Sequence, residues 1–523
     1  MCFLEKHRIR FLCCGLILAT QVFNMLHNMI GVGTLAYPST FKNTGILPGA
    51  FITIICSIMV FYSADLIIKN MLKLRRWTFL GISKELYPPI ISNIIELLKS
   101  VTTFLSSTAF AISALDNLPC IVLLIKNNNG QEIINGRLLN ALIIFVFLSL
   151  IVLYENIESL KFISSAGLFI LIVAVLMLNG YLIIDHSTSN EYLLYKEYTD
   201  DYFLSVSTNC LAFAIHYNAT RYYYEIAREE LKIILREREN NLTNIETNVL
   251  IILENEELND IDYMNAMSRL ENIEIHERSL RIMKFTLFIT FLISCILYLI
   301  FGISGYIKLG NDVEGDVLNS INDPSPLIKC LKILVGLSVM TAIPLTIHPA
   351  VNGIMNVLKE MSEMRCNIYG NNNNRDANVY HNIANNINEN PNFIRENFKI
   401  IRKIIAILMT FGVMYTAAVI EDLDELLEFK GCTLIVMFVL LIPAIDRLTI
   451  IWYYDRIDKE YLWRSILILL LGITIMVAGL ASWIHKYSKK ENEIKLSNYT
   501  NFTSKDCKFG IWKYYFNNNN NLN

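Results

Sequence analysis

Between Phe23 and Pro38 an otherwise apolar run carries His27, Asn28, Gly31 and Gly33 close together, with Val32 between the two glycines. Inside a segment of membrane-spanning length, polar groups are costly unless they face a cavity or a partner. Glycine lets a helix give up its hydrogen-bond ladder. The amides that open the second half then present the positive end of a helix dipole, which suits a carboxylate, while the carbonyls that close the first half suit an ammonium or a cation. Together these complement the two ends of a zwitterion. A plainer reading is that Gly31 and Gly33 admit a neighbouring helix at close range, and the glycines alone favour it. His27 has a side chain that titrates near neutral pH and can take up and release a proton during a cycle. It can equally serve as a hydrogen-bonding group between helices.

Other chemistry-bearing groups do not converge. The 11 cysteines sit singly or at unrelated spacings, apart from the adjacent Cys13 and Cys14, and form neither a zinc pattern nor a disulfide framework. The Cys13–Cys14 pair follows Lys6, Arg8 and Arg10, a setting compatible with palmitoylation or with ordinary interfacial thiols. The sequence shows no Ser/His/Asp arrangement on a strand-turn-helix and no metal-ligand spacing. The expectation is therefore no catalytic residue, no metal and no cofactor.

The elements that must hold the first run follow from composition. Of the 523 residues 54% are hydrophobic and 18% charged, against about a quarter charged in soluble domains. The charges are confined between apolar stretches long enough to cross ~30 Å of hydrocarbon. These stretches run roughly over 12–38, 46–68, 98–125, 138–154, 160–184, 203–222, 284–307, 327–357, 400–420, 431–453 and 463–485. Lipid offers the backbone no hydrogen bonds, and the runs are too long for barrel strands, so each is a helix. The fold class is an all-α polytopic membrane protein of about 11 transmembrane helices. With a net charge of -3 and no basic stripe, no nucleic-acid partner is expected.

Lysine and arginine orient the chain. They gather in the segment 1–11, in the loop after the second span (Lys69, Lys73, Arg75, Arg76) and after the sixth and eighth spans (Arg228, Lys232, Arg278, Arg281; Lys359, Arg365, Lys399, Arg402). All lie on one side, the cytosol, which leaves the tail 486–523 lumenal or extracellular. Lys486, Lys489 and Lys490 run against that rule. Two cytosolic insertions, 227–281 and the Asn-rich 358–398, interrupt a membrane domain spanning 12–485. The basic start and apolar run of residues 1–30 are read as a retained first helix, because Gln21, Asn24, His27 and Asn28 suit a signal peptide poorly.

The motif Phe23-Asn24-x-x-His27-x-x-x-Gly31-x-Gly33-x-Leu35-x-x-Pro38, followed by Asn43-x-Gly45 and Gly49, resembles the first-helix signature of the amino acid/auxin permease family. Later motifs keep the family's order: Ala212-Phe213-Ala214-Ile215-His216 with Tyr223-x-Glu225-Ile226, Gly302-x-x-Gly305-Tyr306-x-x-x-Gly310, Pro344-x-x-x-x-Pro349, and Pro443 with Asp446-Arg447. The resemblance covers about 11–485 apart from the insertions. It implies a LeuT-like fold of two inverted five-helix repeats, about 12–184 and 203–453, with an extra helix at 463–485, and a substrate between broken first and sixth helices. It implies that Asn28 and the amides of Gly31, Val32 and Gly33 bind an amino acid carboxylate, with Phe213 and Ala214 lining the site. No glycine or proline marks a break in the sixth helix, so its unwinding rests on the resemblance alone.

Sodium-coupled relatives typically have asparagine where this chain has His27, and threonine or serine where it has Met340 and Ala342. Proton coupling through His27, with Ser338 and Thr341 as polar neighbours, is the expectation, and sodium is the alternative. His216 matches a family histidine and is read as a structural hydrogen-bonding group; His348 is given no role. Arg221 reads as a snorkelling anchor and Tyr222 to Tyr224 as an interfacial belt. No acidic residue falls at the centre of the first, third, sixth or eighth span, which favours neutral, bulky substrates over cationic ones.

The resulting expectation is a monomeric secondary transporter of amino acids in the plasma membrane or an acidic organelle or vacuole membrane, its amino terminus cytosolic and lipid its solvent. A nutrient sensor on the same fold, signalling through 227–281, is the alternative; a membrane enzyme lacks the residues it would need.

Overall fold

A computed structural model of the chain describes residues 15, 18–26, 29–76, 78–118, 136–153, 157–184, 192–237, 273–321, 325–372, 391–420, 422–453 and 459–500. His27, Asn28 and the central parts of both insertions, 238–272 and 373–390, lie outside them. All regular structure among the described residues is helical, as the hydrogen-bond demand of a hydrocarbon environment requires.

The first apolar run forms three short helices, α1 (18–26), α2 (Val32–Leu35) and α3 (Tyr37–Thr44). Gly45, at φ 84, turns the chain into α4 (Ile46–Leu74). Then follow α5 (Phe79–Leu86), α6 (Pro89–Asn117), α7 (Gly136–Val152) and α8 (Ile157–Ile184). The sixth run is split into α9 (Asp201–Ala212) and α10 (His216–Glu237). Beyond it lie α11 (Ile273–Leu309), the short α12 (Val317–Ser320), α13 (Pro326–Asn372) and α14 (Pro391–Val419). The tenth run is α15 (Leu423–Lys430), two π-helical stretches over Gly431–Ile435 and Met437–Leu441, and α16 (Ile442–Tyr453); α17 (Lys459–Thr500) follows. Seven of these segments are long and apolar enough to cross a membrane, and Arg137–Val152 and Phe169–Ile184 are shorter apolar helices. The interruptions fall in the first and sixth runs, the opening helix of each expected repeat.

Several boundaries differ from the sequence expectation. The third span was expected over 98–125, yet α6 starts at Pro89 and ends at Asn117. Its early turns bury Ser92, Asn93, Glu96 and Ser100 against the protein interior, so their polarity lowers the apolar signal without exposing anything polar to lipid. The tenth span begins eight residues earlier than expected: Asp422 caps α15 by accepting from the N–H groups of Asp424 and Glu425, and the buried Glu428 is neutralised by Lys486 at 2.7 Å. That pair gives Lys486, which runs against the expected charge distribution, a buried counter-charge. α5, capped by the Thr78 hydroxyl, was not foreseen. Helices also run into both insertions, α10 to Glu237, α11 from Ile273 and α13 to Asn372.

α11 packs along α3 through the glycines of the Gly302-x-x-Gly305 motif. A Cβ on Gly302 would meet the rings of Phe41 and Tyr37, and one on Gly305 would meet Pro38. Here the glycines do what small residues do in membranes, letting backbones approach.

Candidate functional site

α1 ends at its last regular bond, from the Ile30 N–H to the Leu26 carbonyl. The chain bends at Ile30 and Gly31 and resumes with a bond that spans three residues instead of four, the Thr34 N–H donating to the Gly31 carbonyl at 3.0 Å. The carbonyl of Met29 is thereby freed from the ladder, and the hydroxyl of Tyr298 on α11 reaches it at 2.7 Å. The same hydroxyl lies 3.1 Å from the carbonyl of Ala212, the last residue of α9. It has one hydrogen to give, so the two freed carbonyls share it.

The sixth run is interrupted over Phe213, Ala214 and Ile215, as the resemblance implied although no glycine or proline marks the place. The cause is tertiary. The ring of Phe213 is fully buried, stacked on Phe291 at 5.9 Å and set edge-on to Tyr298 at 5.2 Å. Tyr298 is stacked in turn on Tyr37 of α3 at 4.6 Å, and the Tyr37 hydroxyl bonds Asn209 and Thr53. This aromatic group binds α3, α9 and α11 behind the two breaks. The first turn of α10 leaves N–H groups without intrahelical acceptors, so the gap between α9 and α10 offers freed carbonyls on one side and amides on the other.

Gly31, Gly33 and Ala214 are partly exposed, whereas Ile30, Thr34, Phe213 and Ile215 are buried. The backbone at both interruptions is therefore accessible where its neighbours are not. A Cβ on Gly33 would lie 4.0 Å from the Ala212 Cα, and one on Gly31 would lie 3.4 Å from the Phe110 ring of α6. Neither glycine is demanded by close helix packing, in contrast to Gly302. Val32 contributes its backbone to α2 between them.

Other expected residues are placed differently. Ser338 donates to the Gly167 carbonyl of α8, and the Thr341 hydroxyl donates to the Ser338 carbonyl at 2.7 Å. The two are brought together with each other and with α8. His216 is fully buried, and both its ring nitrogens lack hydrogen-bond partners among the described residues, so the bonding role expected of it is not met there. His348 is buried with its Nε2 unpartnered among the described residues. Tyr222 and Tyr223 are buried and not an interfacial belt; the Tyr222 hydroxyl donates to the Asn24 carbonyl at 3.1 Å. Arg221 is half exposed and pairs with Glu225 at 3.0 Å, and Glu225 also accepts from Gln21 at 3.1 Å.

Ties thus close the assembly at both ends. On the side of the amino terminus, Gln21 and Asn24 of α1 are held to α10. At the other, Ser39 donates to Asp424 at 3.2 Å and Lys42 to the Val313 carbonyl at 2.9 Å, joining α3 to α15 and to the loop before α12.

Residues 18–225 and 270–485 match the family model described as transmembrane amino acid transporter protein. The chain belongs to that family. Among members of the family with curated descriptions, it is 24% identical over 502 residues to vacuolar amino acid transporter 5 of Saccharomyces cerevisiae, covering 88% of this chain and 96% of that one. It is 30% identical over 181 residues to amino acid transporter AVT6D of Arabidopsis thaliana, an alignment spanning 32% of this chain and 39% of that relative. Of solved structures, a nucleobase-cation-symport-1 family transporter with bromovinylhydantoin bound is similar at 10% identity over 91% of this chain and 92% of that chain, with a TM-score of 0.47. As a family member the chain is a multi-pass membrane protein of an amino acid transporter family, and its motifs fall on the two interrupted helices and their supports.

Proposed function

We propose that this chain carries amino acids across a membrane by alternating access, with the substrate's α-carboxylate on the amides near Gly31, Val32 and Gly33 and its ammonium on the carbonyls freed at the two breaks. The observation that carries this reading is the shared bond of Tyr298 to Met29 and Ala212, which fixes the two interruptions face to face beside partly exposed glycines. Freed peptide groups in a low-dielectric setting recognise a zwitterion without any charged side chain. Phe213 contributes its backbone, since its ring is occupied with α11, and Ala214 contributes the accessible surface. Asn28 adjoins the break in sequence and belongs to the same proposed site.

The coupling ion in this reading is a proton, taken up by His27, with Ser338 and Thr341 on α13 as polar neighbours and sodium as the alternative. A vacuolar or similar acidic-organelle membrane suits it, because a proton gradient is available there and the yeast relative's name places that protein in such a membrane. The amino terminus is cytosolic by the distribution of lysine and arginine. The test is uptake of labelled amino acids by purified protein in liposomes, at two pH values with and without sodium. Saturable uptake driven by an inward proton gradient is the expected result. A sodium-driven flux indifferent to pH removes the role of His27, and the absence of any flux removes the carrier reading.

A further inference from the structure

Lys430 ends α15 well inside the tenth span and is 4% exposed. Its ammonium donates to the Ser106 hydroxyl of α6 at 2.7 Å, and among the described residues that is its one side-chain partner. The nearby acids are otherwise engaged: Glu428 pairs with Lys486 and Asp424 accepts from Ser39. An ammonium carries three donors and a full charge. A hydroxyl that already donates to the Thr102 carbonyl at 2.9 Å offers only its oxygen. Buried charge of this kind marks a functional position in a membrane helix by default, since it needs a counter-charge.

Its place in the fold indicates where that counter-charge comes from. Ser106 lies one helical turn, about 6 Å, from Phe110 along the same face of α6, and the Phe110 ring is what a Cβ on Gly31 at the first break would meet, at 3.4 Å. Both Ser106 and Phe110 are partly exposed. On the far side of Lys430, Gly431 lets the tenth helix approach α9 so closely that a Cβ there would lie 3.0 Å from the Ser207 carbonyl. The ammonium of α15 is thus tied to α6 at a residue one turn from the one whose ring lines Gly31 at the first break.

We infer that Lys430, positioned by Ser106, is a specificity residue that receives the side-chain carboxylate of a dicarboxylic amino acid. This inference rests on the carrier reading above and deepens it. The sequence puts no acidic residue at the centre of the first, third, sixth or eighth span, which argues against cationic substrates, and Lys430 turns the remaining choice from neutral toward acidic side chains. The pairs glutamate and glutamine, and aspartate and asparagine, are near-isosteric and differ in the charge that Lys430 reads.

The test is uptake of these four amino acids by the full chain in liposomes, for wild type, Lys430→Gln and Lys430→Arg, with each variant checked for monodispersity before reconstitution. The wild type is expected to prefer the acids over their amides by at least about tenfold in kcat/KM, the scale of one hydrogen-bonded charge. Lys430→Gln is expected to lose that ratio and Lys430→Arg to keep it. A wild-type preference for the amides overturns the proposal and leaves the carrier reading standing, as does an acid preference that Lys430→Gln leaves unchanged. No uptake of any amino acid by the wild type removes both. The wild-type ratio decides even where a variant fails to fold.

Discussion

The hydroxyl of Tyr298 stands 2.7 Å from the carbonyl oxygen of Met29, at the point where the first helix loses its regular ladder. Because the same hydroxyl approaches Ala212 at 3.1 Å, one side chain of α11 sets the separation of both interruptions. Tyr298→Phe keeps the stacking on Tyr37 and removes only the donor. It is expected to destabilise the protein by about 1 kcal/mol, the net value of one hydrogen bond, while lowering uptake about tenfold or more. Thermal unfolding and liposome uptake measured on the same preparation check this; a loss of uptake matched by loss of folded protein would assign Tyr298 to packing alone.

Two glycines distinguish site from packing. Gly33→Ala adds a methyl group 4.0 Å from its nearest neighbour, so folded protein in the membrane should stay near wild type while apparent substrate affinity falls several-fold. Gly302→Ala drives its Cβ into Phe41 and Tyr37, and overpacking of this kind costs about 1–3 kcal/mol. It should reduce abundance first. The comparison of abundance with uptake, variant by variant, checks both expectations.

Asp316, in the loop between α11 and α12, carries a pH dependence with a definite sign. Burial raises its carboxyl, with the nearby Asp116 charge adding to the rise, to about 6 in spite of donors from Asn117, Leu318 and Ser113. When the loop is undocked the carboxyl returns to the ordinary range near ~4. Its contribution to docking is therefore fully present below about 4 and is lost as pH rises through about 6. Hydrogen exchange of residues 313–321 should speed up between pH 5 and 7 in the wild type, relative to Asp316→Asn, which keeps a good capping residue without the titration. Equal pH profiles for the two proteins would dismiss the carboxyl as the cause.

The ties at the two ends make opposite demands. Tyr222→Phe removes the donor to Asn24 and should release α1 from α10, whereas Lys42→Met removes the donor to Val313 and should release α3 from the loop before α12. Each is worth about 1 kcal/mol, enough to change the balance of two open states several-fold. Labelling of single cysteines placed near each tie with a membrane-impermeant thiol reagent should report increased reactivity on one side for each variant and on opposite sides for the pair.

What the residues alone determined is the solvent, the helical class and the first break. Long apolar runs with charges sorted between them leave a backbone in lipid no alternative to helices, and Gly31 and Gly33 stand next to the bend found at Ile30 and Gly31. Tertiary structure decided the rest. The sixth helix opens at Phe213 to Ile215 without glycine or proline because aromatic packing on Phe291 and Tyr298 and a shared hydroxyl compensate the lost ladder. The inward-facing polar turns of α6, the Glu428–Lys486 pair and the pairing of Lys430 with Ser106, 324 residues away, join groups distant in sequence. Their burial depends on which helix lies opposite, and local composition carries no record of that.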